Sequence, residues 1–176
     1  MKMNKTLIAS IFTTVLLSQS VMANNTGTVT FAGAITEQAC TVPSNQMNQQ
    51  IDITGITPES LIAADEDESV AERAFTFNVT DCPAGLTNVG IKFDYNPDSS
   101  NNQYLSNSGT ATGVAFGITD KNNVLKNTSE VINADNYDGT TGTATVEAKL
   151  RAYRVGTAAP ETGTVESTAT VTLITN

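Results

Sequence analysis

Several stretches of this chain alternate apolar and polar positions with a period of two. They are Thr28–Ile35, Gln50–Ile53, Ala74–Val79, Val89–Tyr95, Gly113–Ile118, Ala144–Tyr153 and Ser167–Leu173. Successive side chains of an extended strand point to opposite faces, so each stretch predicts one face for a core and one for solvent. Thr, Val and Ile recur through them, and these residues suit a half-buried pleated surface. Between them lie segments rich in Gly, Pro, Asn and Asp, at Asn96–Asn102, Asp135–Gly142 and Gly156–Gly163. That is the composition of turns. Many short strands punctuated in this way predict an all-β antiparallel sandwich in one domain. The one helix predicted is short, over about Pro58 to Asp65, with proline in its first turn.

The N-terminus follows another pattern. Met1–Lys5 carries two lysines, Leu7–Leu17 is an apolar run, and Val21-Met22-Ala23 has the small and apolar residues of a peptidase site. This is the layout of a secretory signal, predicted over residues 1–23. The alternative is a membrane anchor. The apolar run is short for it, since a spanning helix needs about 20 apolar residues. The mature chain is expected to start at Asn24, to be exported, and to insert no segment into a membrane.

Charge narrows the classes of partner. Removing residues 1–23 takes away Lys2 and Lys5 and leaves seven basic against eighteen acidic residues, a net charge of −11. Nucleic acid needs clustered Lys and Arg, and anionic lipid needs a basic surface, so neither is expected. The two cysteines, Cys40 and Cys82, form an even count in an exported chain, which predicts a disulfide. Without histidine, two cysteines cannot complete a zinc site, and the commonest general base is missing. No nucleophile elbow, phosphate loop or dinucleotide fingerprint occurs. The chain is therefore read as no enzyme and as needing no cofactor. The run Asp65–Glu68 lacks the spaced ligands and glycine of a calcium loop and reads as solvated.

In Thr28–Ile35, Val29, Phe31, Gly33 and Ile35 share one face. Alternation alone leaves two readings open: the first strand of the chain's own sandwich, or a strand meant for another molecule. Gly27–Val42, with its alternating run ahead of Cys40, resembles the start of a chaperone–usher pilin of the type 1 fimbrial family. Thr80-Asp81-Cys82 resembles that family's second cysteine, Gly113–Asp120 its central strand, and Leu150–Gly163 its aromatic strand and following loop. Ser167–Asn176 resembles its C-terminal strand, with one departure: Thr175 stands where the family has tyrosine. That departure bears on the chaperone contacts of this end.

The resemblance implies an incomplete immunoglobulin-like sandwich (residues 37–176) that a donated strand completes. It makes residues 24–36 the donor segment, with Val29, Phe31, Gly33 and Ile35 facing a neighbour's groove. It places Ala169, Val171 and Leu173 on the strand that borders the groove and meets the chaperone, and it pairs Cys40 with Cys82. The implied partners are neighbouring fimbrial subunits, a periplasmic chaperone and an outer-membrane usher. The implied route leads through the periplasm to a surface fimbrium that contributes to cell adhesion. Two alternatives stand beside it. One is a minor tip, adaptor or receptor-binding subunit of the same fold. The other is a self-contained secreted sugar-binding sandwich.

Overall fold

The computed structural model describes Ala32, residues 39–65 and residues 68–176. The chain divides into two units, Met1–Ile35 and Thr36–Asn176. The predicted signal segment and Val29, Phe31, Gly33 and Ile35 lie outside the described residues. In the second unit the elements run α1 (Ser44–Met47), α2 (Pro58–Ala63), β1 (Ser69–Val79), β2 (Val89–Tyr95), β3 (Tyr104–Leu105), β4 (Val114–Asp120), β5 (Val131–Asn133), β6 (Ala144–Arg154) and β7 (Ala169–Thr175). No described helix is long and apolar enough to cross a membrane.

The strands form two sheets, in the orders β1-β6-β4-β3 and β5-β2-β7, and each of their pairings is antiparallel. Their inner faces meet in one core. Phe77, Phe116, Ile118 and Val146 come from the first sheet, and Ile91, Phe93 and Ile132 from the second. This is the all-β antiparallel sandwich that the alternation predicts. In β6 the inward set is Val146, Ala148 and Ala152, all buried. Ala148 lies opposite Phe75 of β1, and Ala152 opposite Phe116 of β4. Small residues facing large ones let the layer fill without strain. Phe75, Phe77 and Phe93 complete it, with ring centroids 5.8 to 6.0 Å apart and edge-on or tilted planes, the offset geometry that aromatic quadrupoles favour.

β2 coincides with its predicted stretch, and β1, β4, β6 and β7 overlap theirs. Gln50–Ile53 is a correction. It forms no strand and has no ladder partner among the described residues. α2 starts at the predicted proline. Thr57 and Ser60 cap it reciprocally: each side-chain oxygen accepts from the other's backbone N–H, at 3.1 Å both ways. The alternating pattern did not predict β3 and β5. With two and three residues, they are too short to display a period.

A disulfide joins Cys40 to Cys82, with the two Cα atoms 4.1 Å apart. Beside it, Thr41 and Thr80 exchange backbone hydrogen bonds of 2.8 and 2.9 Å. The segment entering the domain is thereby tied to the end of β1. Gly142 closes against the same place, with φ at +65°. A β-carbon there would fall 2.6 Å from the Cys82 carbonyl oxygen, so only glycine fits. The cross-linked residues are 42 apart in sequence, a loop whose closure removes about 4 kcal/mol of unfolded-state entropy. Replacing both cysteines by serine is expected to lower stability by about that amount. Equilibrium urea unfolding of the two proteins checks this, and equal midpoints would contradict it.

Candidate functional site

β7 is the edge of its sheet, and its one ladder partner among the described residues is β2. The bonding pattern decides which of its backbone groups are free. Asn88 and Asn176 exchange bonds, N–H to O, of 3.2 and 3.1 Å. In an antiparallel ladder bonded and non-bonded pairs alternate. Gly90–Ile174, Lys92–Thr172 and Asp94–Thr170 are therefore the bonded pairs of the β2–β7 register. The other edge of β2 agrees: the carbonyls of Val89 and Phe93 accept from Ala134 and Ser129, away from β7. It follows that Ala169, Val171 and Leu173 direct their N–H and C=O groups toward the open edge.

The side chains of the same three residues face inward. Their register partners Tyr95, Phe93 and Ile91 are buried core residues, and directly opposed residues share a face. Ala169, Val171 and Leu173 all pack against the core, yet none is fully buried. Each residue thus offers both an unpaired ladder position and an incompletely covered apolar side chain.

Along this edge runs a groove of about 670 Å³. One wall is Val165–Val171, the other Met47–Asp52, and the floor is Phe75, Phe77, Phe93, Phe116, Ile118 and Leu150. Phe116 and Val165 also line an adjoining cavity of about 290 Å³, with Ile53, Ile56, Leu61 and Val114. The floor carries no charge. The charged residues lining the groove, Asp52 and Glu166, sit on its walls. No cluster suited to a metal ion occurs among the described residues.

Polar bonds rather than burial position the Val165 wall. Asn107 Oδ1 accepts from the backbone N–H groups of Gly109 and Glu166, at 2.8 and 2.9 Å. Its Nδ2 donates to the Ala111 carbonyl at 2.9 Å. The N–H groups of Ser108 and Ala111 donate to the carbonyls of Glu166 and Thr164, at 2.8 and 3.0 Å. This set fastens the approach to β7 to the loop after β3. An extended groove with an apolar, uncharged floor, beside a strand edge that has no ladder partner among the described residues, suits a peptide in strand conformation. Its backbone would extend the ladder, and its alternate side chains would fill the groove.

Among the residues singled out from the sequence, the structure brings Ala169 and Val171 to the groove, with Leu173 further along the same strand edge. Cys40 and Cys82 brace the entry of the chain into the domain. The groove floor was not singled out as a site. Its members stand on the inward positions of the alternating stretches, where a core residue and a groove residue carry the same signal. Gln50–Ile53 gave a strand-like signal because Ile51 and Ile53 are partly covered while Gln50 and Asp52 are exposed.

A model of the protein family described as "Fimbrial protein" matches residues 29–175. The chain is 34% identical over 121 residues to the "Type-1 fimbrial protein subunit" of Serratia marcescens. That alignment covers 65% of this chain and 64% of the relative, so the chain spans just under two thirds of that relative's length. Among solved structures, a chaperone–usher pilus superposes with a TM-score of 0.63 at 16% identity, covering 87% of this chain and 97% of that one. The P pilus rod subunit PapA superposes with a TM-score of 0.61 at 17% identity, covering 78% and 99%. At these identities the structural matches establish the fold.

The free edge has a direct readout. In the isolated chain with an empty groove, the amides of Val171 and Leu173 are expected to exchange with deuterium about tenfold or more faster than those of Thr172 and Ile174. Residue-resolved hydrogen exchange by NMR measures this, and uniform protection along β7 would show that the edge is already paired.

Proposed function

The chain belongs to the fimbrial protein family, and on that footing we propose that it builds a bacterial surface fimbria by donating its N-terminal strand to the open groove of the next copy. It is a structural subunit and not an enzyme. The observation that carries the mechanism is the apolar groove of about 670 Å³ beside the unpaired edge of β7. Residues 1–23 are the export signal, residues 24–36 the donor segment and residues 37–176 the domain that receives a strand. The open edge argues against a self-contained sugar-binding sandwich, which would close its own sheets.

The donor is Thr28–Ile35. Val29, Phe31 and Ile35 enter the groove, and each fully buried apolar side chain of this size contributes about 1.5–3 kcal/mol. The three together contribute roughly 5–9 kcal/mol. Phe31 meets the Phe75, Phe77 and Phe93 rings, where edge-on contacts are available. Gly33, with no side chain, lets the donor backbone approach the floor closely. Because the donated strand and the groove are different surfaces of one chain, the contact is head-to-tail and generates a filament. Before assembly the open groove is an aggregation hazard. A periplasmic chaperone covers it with a strand of its own against Ala169, Val171 and Leu173, and an outer-membrane usher exchanges that strand for the next subunit's donor. The fibre then contributes to adhesion at the cell surface.

Two measurements test this reading. Deleting residues 24–36 and appending the same segment through a linker after Asn176 is expected to give a stable monomer that unfolds cooperatively. The chain without residues 24–36 and without the appended segment should aggregate when expressed without a chaperone. If the two are equally stable monomers, the missing strand is not missing.

Substitution in the donor separates assembly from folding. Phe31→Ala removes buried area worth about 3 kcal/mol or more, and Gly33→Leu overfills the groove at a cost of roughly 1–3 kcal/mol. Both are expected to reduce surface fibres, counted by electron microscopy. Chaperone-bound subunit with its disulfide formed should accumulate in the periplasm. Thr30→Val, on the other face, should be mild. Normal fibres from both groove-facing variants would overturn the proposal, and so would loss of the chaperone-bound fold.

A further inference from the structure

The groove is not centred on β7. Six residues form its wall on this side, Val165, Glu166, Ser167, Thr168, Ala169 and Val171, and four of them precede β7. An occupant that fills the groove therefore lies beside residues 165–171. The ladder it meets there is set by the direction of the backbone groups of 165–168.

The approach to β7 is built as a strand whose partner is a loop. No turn or bend interrupts residues 164–168. Thr164, Glu166, Thr168 and Thr170 are exposed, while Val165, Ser167, Ala169 and Val171 are half-covered. One alternation thus runs across the start of β7. The backbone bonds follow the same parity. The carbonyls of Thr164 and Glu166 accept from the N–H groups of Ala111 and Ser108, at 3.0 and 2.8 Å. Their own N–H groups donate to Thr110 Oγ1 and Asn107 Oδ1, at 3.0 and 2.9 Å. Side-chain oxygens stand in for the carbonyls of a ladder partner. A β-carbon at Gly109 would collide with the Thr164 carbonyl, so glycine is what lets the loop come this close.

This loop takes over where β2 ends. Ser106 donates its N–H to the carbonyl of Asn96, the residue after β2, at 2.9 Å. Thr164 and Glu166 have the parity of Thr170, Thr172 and Ile174, the residues that bond to β2. In extended backbone successive residues direct their polar groups to opposite sides. Val165 and Ser167 therefore turn their N–H and C=O groups to the same side as Ala169, Val171 and Leu173. None of these backbone groups of Val165 and Ser167 has a hydrogen-bond partner among the described residues. The bond that Ser167 does make is from its hydroxyl to the Ser106 carbonyl, at 2.9 Å.

We propose that the strand-binding edge continues past β7 to Val165, and that an incoming strand bonds to Val165 and Ser167 as well as to Ala169, Val171 and Leu173. The inference rests on the donor-strand reading above and lengthens its site. Pairing confined to β7 would set the strand beside Ala169–Thr175 and leave the Val165 half of the groove uncovered. An occupant of that half covers the backbone groups of Val165 and Ser167, and covered backbone groups without partners are costly. An occupant in strand conformation supplies the partners. The eight residues of Thr28–Ile35 are enough to span the seven from Val165 to Val171.

Two readouts on full-length chains assembled in cells test this. The first is hydrogen exchange of the purified fibres, quenched and read residue by residue by NMR after dissolution. Thr168 is the reference, because its N–H has the opposite parity and no partner among the described residues. Val165 and Ser167 are expected to exchange about tenfold or more slower than Thr168. The second is the rate at which fibres of Ser167→Pro dissociate in denaturant. Proline lacks the N–H and is tolerated where a strand edge faces solvent, so the subunit should still fold and form its disulfide. Its fibres should dissociate about fivefold or more faster than the parent's. Ser167→Ala, which removes only the hydroxyl bond, should stay within about twofold. Val165 and Ser167 exchanging as fast as Thr168, beside a protected Val171, overturn the proposal and leave the donor-strand reading standing. If Val171 is unprotected as well, that reading has failed with it. Ser167→Pro fibres as stable as the parent's also overturn the proposal. So does an equal loss in Ser167→Ala, which would trace the effect to the Ser106 bond. If Ser167→Pro yields no subunit, exchange in the parent's fibres decides alone.

Discussion

An unpaired strand edge beside an uncovered core is the constraint on which this molecule depends. Among the described residues, the outward N–H and C=O groups of Ala169, Val171 and Leu173 meet no ladder partner, and each side chain is half-covered. A domain that kept these for itself would carry a lasting liability, because open edges template aggregation and exposed apolar grooves are sticky. The same features make a strong joint when a strand arrives. One segment satisfies the ladder and fills the groove together, so neither gain is available without the other. In the proposed mode of assembly, joining of copies and completion of the fold are one event.

The rest of the domain is arranged to hold that groove open without its final strand. β6 pairs on both sides and supplies the small residues against which Phe75 and Phe116 pack. The disulfide and the Thr41–Thr80 bonds fix the start of the domain to β1. The Met47–Asp52 wall follows within a few residues. The opposite wall is fastened by Asn107 and its neighbours to the loop after β3. One wall is therefore held covalently and the other by a polar network. Neither depends on apolar contacts that the missing strand would have to provide. A groove whose walls leaned on its occupant would collapse when empty, and the core would then resist entry.

The alternating stretches made most of this fold legible. A strand of seven or more residues shows its period, and β2, β4, β6 and β7 were placed to within two residues of their ends. β1 was caught only from Ala74, since Ala71-Glu72-Arg73-Ala74 breaks the alternation just after the register irregularity between Ser69 and Ala71. Gln50–Ile53 misled for the opposite reason. Its residues are alternately exposed and partly covered, which gives the period of a strand, but among the described residues no strand pairs with it. Periodicity reports which side chains are covered and is silent on where the backbone bonds go. The groove was hidden for a related reason. Phe75 and Phe77 stand two residues apart on one face of the floor, and nothing in their order tells that Phe75 is left partly accessible while Phe77 is fully buried. The edge position of β7 is a property of topology, and only the family resemblance pointed to it.

Polymerisation has to overcome the acidity of the subunit. With a net charge of −9, neighbouring copies repel, and the repulsion grows as they approach. Screening limits it, since exposed charges interact weakly beyond about 8–10 Å at physiological salt. Burial of the donor's apolar side chains acts at contact and is not screened at all. The distribution of charge along the sequence keeps the two effects apart. The segment proposed to enter the neighbour, residues 24–36, is neutral, and the groove floor is neutral as well. No charge has to be desolvated for the joint to form. The acidic groups stay on the outside, where they keep unassembled subunits soluble and discourage side-by-side association. Repulsion is thus weakest along the one path of approach that completes a fold, and this favours linear growth over clumping.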